Sequence, residues 1–317
     1  MAPTTPVPNA DAATSSTDLS TVAISGATGL VGSALTRLLQ QEGKSVLAIS
    51  RRDGGAYRDS IRWDPESGLT NPGRLETVDA VVHLAGENIA AGRWNEALKR
   101  RIRNSRVQGT RSLVQSIAAA QNRPKVLVCA SAIGFYGDRG ATELDESAQA
   151  GSGFLSDVCR EWEAEANAAA DLGLRVVNVR IGVVLNPAGG ALAKMLLPFK
   201  LGLGGVVGSG QQYWSWIGLH DLTRVIAFCV NNDQLSGPVN AVSPNPLTNR
   251  EFTKQLGTFL KRPTVFPMPA FAAKLALGEM AEALLLASSR VFPKKLQAHL
   301  FQFEHPTLPE CLQHELG

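Results

Sequence analysis

The sequence predicts an α/β protein built on a doubly wound parallel sheet, with a small C-terminal α/β lobe. Three observations predict it. Short, nearly continuous apolar runs alternate with helical patterns from residue 21 onward; a glycine-rich turn joins the first run to the first helix; and the second half trades regular alternation for glycine turns and helices. A chain of 317 residues is long enough for one large sheet domain and a smaller lobe.

In chain order, residues 1–20, "MAPTTPVPNADAATSSTDLS", contain no Lys or Arg and no apolar block, which reads as a disordered tail, with a trimmed transit remnant as the alternative. "TVAISGATGLVGSALTRLLQQEGKSVLAISRR", 21–52, then reads strand, loop, helix, strand. Further parallel strands are predicted at 60–64, 79–88, 125–132 and 174–185, with helices between them at about 94–119 and 153–172. These elements set a first domain at 21–185. Residues 186–317 form the lobe and the C-terminal segments, partly interleaved with it. There, "LHDLTRVIAFCV" opens a helix that Asp221 is placed to cap, 247–263 is a second helix, and 270–287 is apolar all round, as burial at a lobe or homodimer contact would require.

Charge and composition exclude some functions. With 31 basic and 28 acidic residues the net charge is +3, too small a field to make nucleic acid or an anionic membrane the main partner. "KRRIRNSR", 99–106, is the local exception: a solvated helix face, or arginines of which one or two turn toward a phosphate. No apolar run reaches 18 residues, so no membrane span is expected. Cysteines 129, 159, 229 and 311 show no metal or redox spacing and read as reduced thiols, which points to the cytoplasm, or to the plastid stroma if the tail is a transit remnant. The five histidines show no two-ligand spacing on a helix, so no metal is expected.

The glycine turn carries the chemistry. Gly26, Gly29 and Gly32 are spaced so that the first makes a tight turn, the second leaves the backbone bare for a pyrophosphate, and the third lets helix and strand approach. Thr28, Leu30 and Val31 complete the turn, and the helix that starts near Leu30 aims free N–H groups and its positive end at phosphates. That is the Rossmann arrangement for a dinucleotide. The second strand ends in Ser50, Arg51 and Arg52 rather than an acidic residue, and two cations there favour a ribose 2′-phosphate, hence NADP over NAD.

"SGATGLVGSAL", "HLAGEN", "SRVQGT", "SAIGFYGD" and "VRIGVVL", in order, resemble the extended short-chain dehydrogenase/reductase superfamily. "RWNEALKRRIRNSRV", "MLLPFKLGLGG", "GSGQQYWSWIGLHDL" and "SRVFPKKL" make the chain similar to an atypical, epimerase-like branch, sometimes labelled cell-division-inhibitor-like, over 21–315. The resemblance implies cofactor contacts from Leu84, Ala85, Gly86 and Glu87 in "HLAGEN". It implies hydride exchange with nicotinamide on an unknown small molecule, and a catalytic serine at Ser131. Arg106 falls where the superfamily has an asparagine, and would turn a permanent cation toward a phosphate or carboxylate.

The superfamily's acid/base tyrosine and its lysine are missing. A phenol titrating near ~10 needs an adjacent cation to work at neutral pH. Here Phe154 or Leu155 stands at the tyrosine and Val158 or Cys159 at the lysine, and no lysine lies between Lys125 and Lys194. Glu163 is the acidic residue of that helix singled out by the branch's "WE", the other glutamates reading as a solvated face. Tyr136 belongs to the substrate pocket, and Gln212, Trp214, Trp216 and Lys200 either line that pocket or form a core cluster under the lobe. Two functions remain open: an oxidoreductase or epimerase with a nonstandard proton donor, or a noncatalytic NADP(H)-dependent sensor or scaffold.

Overall fold

Residues 19–51 and 60–317 are described in a computed structural model of the chain. Residues 1–18 of the expected tail, and Arg52, lie outside the described residues. Leu19 is buried, and the Ser20 and Thr21 amides both donate to the Asp79 carboxylate at 2.9 Å.

The first βαβ unit forms where the sequence puts it. β1 (Thr21–Ser25) buries Val22 to Ser25, α1 (Leu30–Gln41) turns Leu35 and Leu39 into the core, and β2 (Ser45–Ser50) runs parallel to β1 with Ile49 opposite Ser25. β3 (Ser60–Asp64) and the short antiparallel β4 (Gly68–Leu69) extend that edge. On the other side of β1 come β5 (Ala80–His83), then β6 (Val126–Ala132). Between them α2 (Glu96–Ala119) starts at Asn95, whose side chain accepts the Leu98 amide at 2.8 Å. After the short β7 (Glu143–Leu144) come α3 (Phe154–Asn167) and β8 (Arg175–Ile181), parallel to β6.

The run 174–185, expected as one strand, is two. Gly182 separates β8 from β9 (Val183–Asn186), which leaves the large sheet. A Cβ on Gly182 would stand 2.7 Å from the Ser215 carbonyl oxygen and 2.8 Å from a Val242 methyl, so only glycine lets the chain cross there. Beyond α4 (Gly190–Lys200) and β10 (Tyr213–Trp214), β11 (Trp216–Gly218) pairs with β9. α5 (Leu219–Asn231) and β12 (Gly237–Ala241) then return to the large sheet. Asp221 does not cap α5: its carboxylate is 2% exposed and accepts the Glu304 and His305 amides at 3.0 and 2.9 Å.

β13 (Leu247–Thr248) and α6 (Asn249–Leu260) follow. The apolar segment 270–287 is not one helix. α7 (Ala270–Leu277) stops at Gly278, φ +62°, and α8 (Glu279–Ala281) leads into a π turn over Glu282–Leu286. Phe271 and Leu275 on α7 are 73% and 76% exposed in the single chain, so the lobe does not bury them. β14 (Arg290–Val291), α9 (Lys294–Ala298) and α10 (Leu308–Leu316) close the chain.

The large sheet has the order β12-β8-β6-β5-β1-β2-β3-β4. α1 and α5 cover one face through Leu35, Leu39, Leu222 and Ile226, and α2 and α3 the other through Leu113, Ile117 and Trp162. The order reverses between β1 and β5, so their carboxyl ends open the crevice in which such sheets bind ligands. A buried contact fixes that crevice. The Ser25 hydroxyl oxygen accepts the Leu84 and Ala85 amides at 3.1 and 3.3 Å, so its own hydrogen goes to His83 Nδ1, 2.6 Å away. The imidazole is therefore neutral, with its proton on Nε2, which has no hydrogen-bond partner.

Burial holds the His83 pKa down to about 4, from 6.5. A depressed histidine favours the fold while it is neutral, so its contribution is complete above pH 6.5 and is lost as pH falls toward 4, up to about 3 kcal/mol. Urea unfolding of the parent and of His83→Gln across this range should give a flatter pH slope for the variant. Equal slopes would remove His83 as the source.

Candidate functional site

The glycine turn occupies the switch point. Gly26 takes φ +72°, and a Cβ there would meet Leu84 and Ala85 backbone atoms at 3.0 Å, so the turn lies directly on the β5 exit. At Gly32 a Cβ would sit 2.2 Å from the Gly26 carbonyl oxygen, which lets the first turn of α1 press against the loop. Gly29 is the N-cap of α1; no side chain caps it and no acidic residue stands in the first turn. The amides at Leu30 and Val31 thus remain for an anion, with Thr28 and Gly29 exposed beside them. Ser25 pairs with Ile49, so Ser50 and the exposed Arg51 leave β2 level with the turn, one strand over.

Across the crevice, Leu84 and Ala85 are half-buried and Gly86 is exposed. Arg106 lies beneath this loop. Its Nη1 donates to the Glu87 carbonyl at 3.0 Å, a Cβ on Gly86 would be 3.3 Å from its guanidinium carbon, and its charge stands 5.2 Å over the Trp162 ring. Of the basic run 99–106, Arg103 instead faces solvent, pairing with Glu161. Opposite, Gly189 brings the start of α4 onto Leu30, and Lys194 of α4 donates to the Ala90 carbonyl at 3.0 Å.

The tyrosine position holds no titratable group. The Phe154 ring packs edge-on to Trp94 at 5.2 Å, in a cluster with Leu98, Ile102 and Met280, and Lys99 places its ammonium 5.0 Å from the ring centroid. At the lysine position, four residues on, Val158 and Cys159 are both buried, and burial raises the Cys159 thiol to about 11. Phe154 and Leu155 are half-buried.

Proton-bearing groups gather one turn further along α3. Ser131, Arg180 and Asn240 stand in register on β6, β8 and β12, so their side chains leave the same face of the sheet in a row. Glu163 descends on that row from α3. It accepts the Ser131 hydroxyl at 2.7 Å and both arms of the Arg180 guanidinium at 2.8 Å. Arg180 donates its remaining arm to the Tyr136 hydroxyl at 2.9 Å, which faces the Asn240 amide oxygen at 2.7 Å, and the Phe135 ring lies 3.5 Å beneath the guanidinium. All five members are buried. Burial opposes the charge on Arg180, but the hydrogen bonds and charge of Glu163 outweigh it and raise its pKa. Burial likewise pushes the Tyr136 phenol up to about 12.

Ser131, Tyr136 and Glu163 are thus brought together, while Glu161 and Glu165 pair with Arg103 and Arg111 at the surface, as a solvated helix face does. Gln212, Trp214 and Trp216 form core rather than pocket. Trp214 and Trp216 pack with Phe252 and Leu308, and Gln212 donates to the Val207 and Leu285 carbonyls. Sequence reasoning missed Arg180, Asn240 and His83. The signal for Arg180 was available, a charge inside an apolar strand pattern, since such a charge must find a buried partner.

A glycine turn at the β1/β5 switch point under an uncapped helix defines a dinucleotide-binding protein. Residues 22–241 match the NAD dependent epimerase/dehydratase family, and the chain belongs to that family; residues 268–315 match a domain of unknown function. An epimerase family protein of Mycobacterium bovis is 45% identical over 92% of this chain and 96% of its own length. The crystal structure of human epimerase family protein SDR39U1 with NADPH is 36% identical, with a TM-score of 0.84 over 93% of this chain and 98% of that one. A nucleoside-diphosphate sugar epimerase from Corynebacterium glutamicum is 37% identical, with a TM-score of 0.78, and matches 94% of this chain but 58% of that one.

Glu163→Gln should destabilise the fold by about 3–5 kcal/mol, because it leaves the Arg180 charge buried and unpaired. Denaturant unfolding measures this, and a loss below about 1 kcal/mol would mean that Arg180 finds another partner.

Proposed function

We propose that this protein binds NADPH in preference to NADH and exchanges hydride between it and a small carbonyl or alcohol, with Ser131 and Glu163 in place of the tyrosine–lysine pair. The cofactor residues are those of the turn, Gly26 to Val31, with Leu84 to Glu87 facing them and Arg106 stiffening that loop. Ser50 and Arg51 stand where a ribose 2′-phosphate lies, an arrangement that favours NADPH; Arg52 follows Arg51 in the sequence. A relative determined with NADPH supports the same reading. Bound there, the nicotinamide supplies or accepts a hydride, and the chain has only to orient the substrate and move a proton.

The observation that carries the reaction is the 2.7 Å contact from the Ser131 hydroxyl to Glu163. Since Ser131 gives its hydrogen to Glu163, its lone pairs are free to accept from a substrate hydroxyl. As that hydroxyl is oxidised, its proton passes to the Ser131 oxygen while the serine proton passes to the Glu163 carboxylate; reduction runs the reverse. Arg180 holds the Glu163 carboxylate in place with both oxygens bonded, so the proton relay has a fixed geometry. A specific observation favours a second reading, a noncatalytic NADP(H)-dependent sensor: Ser131 is only 3% exposed, and Phe154 and Leu155 offer no proton-bearing group at the tyrosine position.

Arg51→Ala should weaken NADPH about tenfold or more and leave NADH nearly unchanged in a fluorescence titration, since it removes a charged hydrogen bond from the 2′-phosphate alone. Equal weakening would overturn the 2′-phosphate assignment. With NADPH and a panel of carbonyl compounds and nucleotide sugars, Ser131→Ala should lower kcat by about 100-fold or more without changing NADPH affinity. Tight cofactor binding with no turnover on any of them favours the sensor, whose partner capture would then change between the apo and NADPH-loaded protein.

A further inference from the structure

His220, Glu304 and His305 converge at the surface where α5 begins and the segment before α10 crosses it, beside the C-terminal half of α1 and so at the end of that helix remote from the glycine turn. One ligand atom from each lies within 4.8 Å of the other two. The backbone here is fixed. The two Asp221 oxygens hold the Glu304 and His305 amides, and Arg224 pairs with Asp221 at 3.0 Å and with Glu304 Oε1 at 3.1 Å. His314 of α10 stacks on His305 with ring centroids 4.2 Å apart, and lies 4.7 Å from His220.

A surface ion pair would account for His220 Nε2 lying 2.7 Å from Glu304 Oε2. It does not draw on the His305 imidazole, which brings a third ligand atom within 4.8 Å of the other two. Two imidazoles and a carboxylate with one point in common are a donor set for a borderline divalent ion. We propose that His220, Glu304 and His305 form a binding site for a zinc-type divalent ion that ties α5 to the C-terminal segment. The expectation of no metal rested on ligand spacing along a helix, which cannot register partners brought together from residues 220, 304 and 305.

Zinc bonds of about 2.0–2.2 Å in tetrahedral geometry put ligand atoms about 3.4 Å apart, so the 2.7 Å pair must open by about 0.7 Å, within reach of the half-exposed Glu304 side chain. Ion and proton compete for the space between His220 and Glu304, so the imidazole must turn a bare Nε2 to the ion. The charged and titratable groups facing the site are Asp221 and Arg224 of α5, Glu310, His314 and Glu315 of α10, and Arg37 of α1. The carboxylates of Asp221, Glu310 and Glu315 offset the repulsion of the metal by Arg224 and Arg37.

Calorimetric titration of the metal-stripped chain with zinc chloride at neutral pH should give one ion per chain. The double variant His220→Gln/His305→Gln should bind at least about tenfold more weakly, since losing even a group behind a ligand costs that much. Zinc should raise the unfolding temperature of the parent and not of this variant. Glu304→Gln keeps both imidazoles and the side-chain shape and should show the same loss, which keeps the test open if the double variant does not fold. Cobalt(II) in place of zinc should give visible bands without a thiolate charge-transfer band. Unchanged affinity in the variants, a thiolate spectrum, or no stoichiometric binding by the parent would each overturn the site.

Discussion

The buried pair of Glu163 and Arg180 is the constraint to which the α3 side of the crevice answers. A guanidinium and a carboxylate taken from water each carry a desolvation penalty of several kcal/mol, recovered only if the geometry is close to ideal and the remaining donors and acceptors are used. Here the pairing is bidentate, the third arm of Arg180 is taken by Tyr136, and the spare acceptor capacity of Glu163 by Ser131. Because Arg180 is on β8 and Glu163 on α3, the pair locks that helix over the carboxyl ends of β6, β8 and β12. The same lock determines what each hydroxyl can do. Tyr136, held between Arg180 and Asn240 with its phenol pushed up to about 12, is no acid or base near neutrality, whereas Ser131 keeps lone pairs.

The cofactor end depends on close approach instead of charge. Gly26 and Gly32 permit contacts that any side chain would break, and the Ser25–His83 hydrogen bond holds the β5 exit against the turn. The two ends meet at the crevice, where Arg106 and Lys194 fix its walls through backbone carbonyls. The chain has thus kept the apparatus that binds a dinucleotide while putting Phe154 or Leu155, both half-buried in one apolar cluster, where a phenol would act.

Much of this was legible beforehand, for reasons that can be given residue by residue. β1, α1 and β2 follow from short, nearly continuous apolar runs and a 3.6-residue apolar period, separated by glycines with a stated steric task, and β3 falls at 60–64 as read. Between 126 and 193 the chain has no lysine and only Tyr136, which precedes α3, so no folding could restore the tyrosine–lysine pair on that helix. The failures have one origin. Gly182 splits a continuous apolar run because Ser215 and Val242 crowd it from elsewhere in the chain, Gly278 breaks an apolar helix beside Arg93, and Asp221 caps a distant loop in place of its own helix. In each case the deciding partner lies far away in sequence.

The sequence by itself determined the class of fold, the dinucleotide turn, the cations after β2 and the loss of the usual acid/base pair, because each is local: a period, a spacing or a missing residue type. Only the tertiary structure decided where the polar groups went. Ser131, Glu163, Arg180 and Asn240 come from three strands and a helix, and His220 and His305 lie 85 residues apart. The side chains that meet across parallel strands are set by register and crossover, and no local pattern encodes either.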